Sequence, residues 1–265
     1  MFGSLLALAL AQTVCAAPPG VSDLLDRNPR IVVVGETHGT AETPAAFARI
    51  VCEAAARGPV TVALELPQPM QPQLDAFLAA DSETEARAAL DGTWFMNPRI
   101  DDGRTSRAML DMMQVVRRLR VERRDVAIVA FQPGSQRPRE FPQSYYELDM
   151  GYLLSRAAID RPQARVFALV GNIHAGKKEN ANFPGLGLPA AAHLPADETV
   201  TLYVAQQGGD AWNCTSDCGV HPVPARYDAE ARGLVLGGYG DGAYDGVLAL
   251  GPSTASPPVT RQATD

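Results

Sequence analysis

Several familiar catalytic signatures are missing from this 265-residue sequence. It contains no GxxxxGK[ST] phosphate loop, no GxGxxG dinucleotide turn, no HExxH zinc helix and no GxSxG nucleophile elbow. Positive charge is also scarce, since 23 Lys and Arg face 30 Asp and Glu and the net charge is -7. The one basic run, residues 117–124, ends a helical pattern, where cations complement the helix dipole. We therefore expect no nucleic-acid partner.

Long hydrophobic runs are absent as well. The apolar stretch 5–11 is too short for a permanent membrane-spanning helix, and small residues follow it around Cys15. We interpret residues 1–17 as a cleaved signal peptide, although no Lys or Arg precedes the apolar stretch. A lipid anchor at Cys15 and a cytosolic N-terminal helix are the lesser alternatives. The first interpretation predicts a periplasmic or secreted protein with no transmembrane segment after cleavage.

Only four cysteines are present. In an oxidising compartment, Cys214 and Cys218 favour a disulfide that closes a very small loop. A zinc half-site with His221 is a weaker alternative, because no second pair of ligands has a usable spacing. Cys52 lies on an apolar helix face, so we expect it to be packed rather than reactive.

Apolar runs and helical patterns alternate along the chain, with 46% of the residues hydrophobic. This composition and order predict a three-layer α/β fold, in which helices flank a mainly parallel sheet and the site lies at the carboxyl ends of the strands. The predicted strands lie at residues 31–34, 60–67, 126–132, 165–170, 199–205 and 246–250. We expect one α/β domain at residues 18–251, with the Gly-rich stretch 233–242 as a loop and 252–265 as a disordered tail.

Acidic and imidazole side chains follow these strands. Gly35-Glu36-Thr37-His38 ends the first strand, Glu65 ends the second, and Gly171-Asn172-Ile173-His174 repeats the Gly-x-x-His spacing after the fourth. The long aromatic and charged connection 92–104 contains Arg104, which we expect near these acidic side chains. Arg99, in the same connection, is a weaker candidate. Carboxylate–imidazole pairs either orient a general base or form a ligand set for a divalent metal. Each motif alone has a structural interpretation, but their joint placement indicates a site.

The pattern GETHG, ALELP and GNIHA resembles the superfamily of erythromycin esterases, Tiki/TraB proteins and ChaN-like haem-uptake proteins, and its Gly-Glu-x-His spacing is closest to the ChaN-like members. The resemblance covers roughly residues 30 to 205. It implies a site of Glu36, His38, Glu65 and His174, with Arg104 as an oxyanion or substrate-carboxylate partner. His193 is a further candidate, although a lone His in an apolar context is more often structural.

The resemblance leaves the reaction open, because the superfamily includes hydrolysis of a macrolide lactone, metal-dependent peptide cleavage and haem binding. The first hypothesis is a hydrolase of a small-molecule or peptide ester, lactone or amide. His38 would be the base, and Mn, Co or Zn would alternatively bind Glu36, His38, Glu65 and His174. The second hypothesis is a haem- or metal-binding uptake protein without catalysis, with Tyr145, Tyr146 and Tyr152 as candidate iron ligands. The third is a degenerate member without a reaction.

Overall fold

The structure, a computed structural model, describes residues 15–134 and 142–261. Nine strands and seven α-helices occur in these residues. They follow the order α1 Val21–Asp26, β1 Ile31–Glu36, α2 Glu42–Arg57, β2 Val60–Pro67, α3 Gln71–Ala79, α4 Glu83–Ala89, α5 Arg107–Val121, β3 Val126–Gln132, α6 Gln143–Asp160, β4 Arg165–Gly171, α7 Asn172–Ala175, β5 Thr199–Val204, β6 Asp210–Cys214, β7 Cys218–Pro222, β8 Gly233–Tyr239 and β9 Tyr244–Ala249. Short 3₁₀ helices occupy Gln68–Met70 and Ala190–His193.

Seven strands form the central sheet in the order β3-β2-β4-β1-β5-β9-β8. All neighbours are parallel except β8 and β9. Buried side chains alternate between the two faces of β1: Val32 and Val34 pack in the core with α1 to α5, while Ile31 and Val33 pack in the core with α6. The predicted α/β fold with three layers and a mainly parallel sheet is confirmed.

Local signals explain most element ends. Ser106 caps α5 because its hydroxyl accepts a hydrogen bond from the Met109 N–H, and α2 ends at Arg57 before Gly58. Arg117, expected at a solvated helix end, is instead buried and donates to the carbonyl of Ala80 over 3.0 Å. Burial of the guanidinium is tolerated because Arg117 also donates to Gln114.

Two expectations about the C-terminal part were wrong. Most of the Gly-rich stretch 233–242 forms β8. This strand pairs with β9 through backbone hydrogen bonds, which do not depend on the identity of the side chains. The tail is ordered through residue 261: Ser256 N donates to the Gly39 carbonyl over 2.7 Å, and Val259 N to the Thr105 carbonyl over 2.9 Å. Backbone hydrogen bonds of this kind hold a polar segment that has little apolar surface of its own.

All four cysteines form disulfides. The expected disulfide Cys214–Cys218 is confirmed and closes the β6–β7 hairpin. A second disulfide joins Cys15 to Cys52, so Cys52 is not merely packed. This bond also conflicts with a signal peptide that extends to residue 17, because cleavage there would remove Cys15. Residues 1–14 lie outside the described residues, and among the described helices none is long and apolar enough to cross a membrane. The two disulfides fit an extracellular or periplasmic protein.

Candidate active site

The candidate site lies at the carboxyl ends of three neighbouring strands. Glu36 ends β1, Gly171 ends β4 at the register position opposite Glu36, and Glu65 lies near the end of β2. Because β4 lies between β1 and β2, the two glutamates flank the segment that leads to His174. The carboxyl edge of a parallel sheet is where open α/β folds bind ligands.

The two Gly-x-x-His segments interlock through their glycines. A Cβ on Gly35 would lie 2.7 Å from the Ala175 Cβ, next to His174. A Cβ on Gly171 would lie 2.9 Å from the His38 Nε2. Each glycine therefore makes room for the segment that carries the other motif's histidine, which gives a physical reason for the repeated spacing.

His38 lies between two carboxylates. Its Nδ1 is 3.0 Å from Glu36 Oε1, and its Nε2 is 3.4 Å from Glu65 Oε2. Burial works against the charged imidazolium, but attraction to Glu65 and the hydrogen bond to Glu36 outweigh it and raise the pKa of His38 to about 10. Both ring nitrogens thus carry protons at neutral pH, and the ring has no lone pair for proton abstraction.

Glu65 connects the other side chains of the site. Its Oε2 accepts a hydrogen bond from the Gly171 N–H over 2.8 Å, and its Oε1 lies 3.3 Å from Arg104 Nη1. Burial favours the neutral acid, but the positive charge and hydrogen bond of His38 and the charge of Arg104 outweigh it and hold the pKa of Glu65 well below its usual range. Burial raises the pKa of Glu36, in part offset by His38. Glu65 is therefore the firmly ionised carboxylate of the pair.

His174 is oriented by a carboxylate of its own, Glu147. Both oxygens of Glu147 lie 2.8 Å from His174 Nδ1. The buried Glu147 also accepts hydrogen bonds from the Ala190 N–H and the Gln143 side chain, both over 3.0 Å. The opposite nitrogen, Nε2, lies 4.0 Å from Glu65 Oε1, beyond hydrogen-bonding distance. In a neutral His174 ring, Glu147 therefore holds the proton on Nδ1, and the lone pair is on Nε2.

Arg104 supplies positive charge from the connection between α4 and α5. Its guanidinium contacts Asp102 through Nε over 3.0 Å, donates to Gln132 over 3.1 Å, and stacks over the Trp94 ring at 5.0 Å. Burial disfavours the charge, but Asp102 and Glu65 outweigh it and raise the pKa of Arg104. The cation is therefore permanent and held in place.

The β6–β7 hairpin holds this connection against the His38 segment. Trp212 Nε1 donates to the Asp101 carbonyl over 3.2 Å, while Trp212 N donates to the Gly39 carbonyl over 2.9 Å. Arg261, in the ordered tail, stacks over the Trp212 ring at 5.6 Å and pairs with Asp101. Trp212 thus ties Asp101, three residues before Arg104, to Gly39, the residue after His38.

A cleft of about 830 Å³ opens over these side chains. Its lining includes charged and polar side chains, namely His38, Glu65, Asp102, Arg104, Gln132, Gln143, His174 and Asn182, and apolar or aromatic ones, namely Tyr146, Ile173, Phe183, Pro184 and Leu186. The volume lies in the range of small-molecule sites.

The four side chains expected as metal ligands do not fit a metal centre. Both nitrogens of His38 face carboxylates, and Nδ1 of His174 is committed to Glu147. Glu36 Oε2 is buried and accepts no hydrogen bond from the described residues, but it is a single oxygen. Within residues 15–134 and 142–261, no group of three or more His, Cys, Asp or Glu side chains has a metal-binding arrangement.

The structure brings together Glu36, His38, Glu65, Arg104 and His174. Other candidates lie elsewhere: Arg99 is exposed, His221 contacts Asp217 in the hairpin, and His193 packs against Gly151 of α6. Tyr146 lines the cleft with its ring centroid 6.1 Å from that of His174, whereas Tyr145 and Tyr152 are exposed.

The sequence interpretation missed Glu147, although a signal was present. Glu147 precedes the buried Met150 and Gly151 by three and four residues, which is the spacing of one helix face. A carboxylate on the buried face of a helix requires a partner, and His174 is that partner. Asp102 and Gln132 were also missed, and nothing in their local sequence distinguishes them from ordinary loop and strand-end residues.

The sheet and the cleft define an α/β protein with a paired histidine–glutamate site. No family model and no curated protein matches the sequence. Among solved structures, the chain is similar to an erythromycin esterase, the EreC H289N mutant in its open conformation, with 10% identity, a TM-score of 0.67 and coverage of 91% of this chain and 94% of that one. It is also similar to a protein from Bacillus cereus, with 11% identity, a TM-score of 0.66 and coverage of 96% and 99%.

ChaN of Campylobacter jejuni, described as binding haem cofacially, matches with 13% identity, a TM-score of 0.45 and coverage of 86% and 89%. The similarity to the esterase shows a shared fold, which is the fold that the sequence resemblance implied.

Proposed function

We propose that this protein is an exported hydrolase that cleaves an ester, lactone or amide bond, with His174 as the general base. One observation carries the proposal: both Glu147 oxygens hold Nδ1 of His174 at 2.8 Å, while the ring lines the cleft. An imidazole with its far nitrogen fixed by a buried carboxylate is arranged to accept a proton at the near nitrogen. His38, the base expected from the sequence, lacks this lone pair because both its nitrogens face carboxylates.

The reaction follows from these roles. Nε2 of His174 takes a proton from water as the water oxygen bonds to the substrate carbonyl carbon. The resulting oxyanion develops near the two cations of the cleft, His38 and Arg104, which stabilise it electrostatically. The tetrahedral intermediate then expels the alcohol or amine, which takes the proton from Nε2, and a carboxylic acid remains. Each turnover consumes one water and regenerates the neutral His174.

The test uses the purified full chain and a panel of simple carboxylic esters and amides. We expect His174→Ala to lower kcat by about 10²- to 10⁴-fold, the usual contribution of a general base. His221→Ala is the matched control, because His221 lies in the hairpin outside the lining of the cleft. Unchanged turnover in folded His174→Ala protein, or no turnover of any ester or amide by the natural sequence, contradicts the proposal.

Haem binding is the second candidate, because Tyr146 and His174 line the same cleft and both are iron-ligating residue types. Bound haem would supply redox or transport chemistry that the side chains lack. Titration of the protein with haemin, followed by its Soret absorption, tests this candidate. A stoichiometric shift that Tyr146→Phe or His174→Ala abolishes supports it, and no shift at equimolar haemin refutes it.

A further inference from the structure

Part of the lining of the cleft carries no charge. It includes Tyr146 from α6, Ile173 from α7, and Phe183, Pro184 and Leu186 from the segment 182–186. The rest of the lining includes two cations, His38 and Arg104, and two carboxylates, Glu65 and Asp102. A ligand that fills this cleft therefore meets both charge and apolar surface.

The segment 182–186 is fixed by its own turns. Phe183 N donates to the Asn180 carbonyl over 2.8 Å, and Leu186 N donates to the Phe183 carbonyl over 3.0 Å. Leu186 is buried at 4% exposure and anchors the segment, whereas Phe183 is 51% exposed at the cleft. Nearby, a Cβ on Gly187 would lie 2.9 Å from the Ser144 Cβ, so the chain packs closely on the first turn of α6.

Exposure of an aromatic side chain to water is unfavourable in free energy, and burial of the side chain against a ligand removes this cost. Two further exposed apolar side chains lie close by in the chain: Leu148 follows Tyr146 by two residues in α6, and Leu188 follows Leu186 by two. The apolar side chains that line the cleft all come from α6, α7 and the segment 182–186, and none comes from the segments that carry His38, Glu65, Asp102 and Arg104.

We propose that the substrate carries an apolar chain or ring on one side of its scissile bond, and that this group binds between Ile173 and the Phe183–Leu186 segment. This inference rests on the proposed function. The inference extends the proposed function by naming the substrate class: esters or amides of neutral, apolar groups, rather than of charged or strongly polar ones. The carbonyl then lies toward His174 and Arg104.

The test measures proton release in a pH-stat with two ester series, one lengthening the acyl chain from acetate to octanoate and one lengthening the alkyl chain of acetate esters. Burial of added methylenes raises kcat/KM by roughly tenfold or more across one of the two series. Phe183→Ser reduces that dependence on chain length by several-fold. Val235→Ser, which removes an exposed valine from β8 outside the cleft lining, leaves it unchanged.

A second measurement separates failure of this inference from failure of the proposed function. Calorimetry compares the binding of octyl and methyl trifluoromethyl ketones, which are not hydrolysed. Ester turnover without chain-length dependence in either series overturns the inference and leaves the hydrolase proposal standing. Absence of turnover, together with tighter binding of the octyl ketone that Phe183→Ser weakens, overturns the hydrolase proposal and supports the apolar site. Equal binding of the two ketones overturns the inference.

Discussion

Glu147 holds His174 by both carboxylate oxygens, each 2.8 Å from Nδ1. The contact crosses from α6 to α7 and is buried, with Glu147 completely excluded from solvent. A buried carboxylate is costly unless it is paired and hydrogen-bonded, so the contact both anchors α7 and sets the tautomer of the ring. The proposed catalysis and the local packing therefore depend on the same pair.

Replacement of Glu147 by Gln tests this pair. The amide has nearly the same size but no charge, and it presents either a donor or an acceptor to Nδ1, so the tautomer is no longer fixed. We expect kcat to fall by about 10²- to 10⁴-fold with a small change in KM. Glu53→Gln, in the half-buried ion pair with Arg57 on α2 and outside the cleft lining, is the matched control and retains full activity. Equal kcat values for the two variants would refute the orienting role of Glu147.

The interlocking glycines give a second prediction. Gly171→Ala places a Cβ 2.9 Å from His38 Nε2, so either the ring or β4 must shift. We expect a destabilisation of about 1–3 kcal/mol, as for other overpacked sites, together with reduced turnover. Gly238→Ala is the control, because Gly238 is exposed and its nearest neighbour would be 4.0 Å away. Urea unfolding and initial rates measure both effects, and a Gly171→Ala protein indistinguishable from the Gly238→Ala protein would contradict the interlocking.

The site's motifs were accessible from the sequence, because Gly35–His38 and Gly171–His174 follow β-branched strands directly. The order of the strands in the sheet could not be predicted from the sequence. It depends on β4 lying between β1 and β2, and this pairing is set by packing of the whole core. The ordered tail was missed for a related reason. Residues such as Ser256 and Val259 are held by backbone hydrogen bonds to distant segments, and these leave no periodic pattern in the sequence.

Stability should depend on pH through His38. Its pKa is about 10 in the folded protein, against 6.5 for an ordinary histidine, so the folded state binds more protons between these values. The contribution of His38 to stability is complete below about 6.5 and is lost as the pH rises through about 10. Urea unfolding across this range should show a falling free energy of unfolding.

His38→Gln isolates this effect from other groups that titrate in alkali. The variant should show a shallower fall than the natural sequence over the same pH range, while His221→Gln should show the same fall. A parallel decline in the His38→Gln protein would indicate that His38 carries no raised pKa.

The bond between Cys15 and Cys52 predicts where a signal peptide would be cleaved and the state of the cysteines. We expect the mature protein to begin before Cys15 and to contain no free thiol, which N-terminal sequencing and thiol titration after denaturation will measure. Cys15→Ser with Cys52→Ser should lower the free energy of unfolding by about 2–4 kcal/mol. The pair Cys214→Ser and Cys218→Ser should cost less, since its loop is far shorter. A mature N-terminus after Cys15, with one free thiol at Cys52, would contradict this account.

The proposed mechanism requires that the two site histidines differ in protonation: His38 is a fixed cation and His174 is the base. Nitrogen NMR of protein labelled with ¹⁵N-histidine near neutral pH measures this directly, with His38→Gln and His174→Gln variants to assign the signals. We expect protons on both ring nitrogens of His38, and for His174 a proton on Nδ1 with an unprotonated Nε2. An unprotonated nitrogen in His38, or a His174 ring with its proton on Nε2 rather than Nδ1, would contradict it.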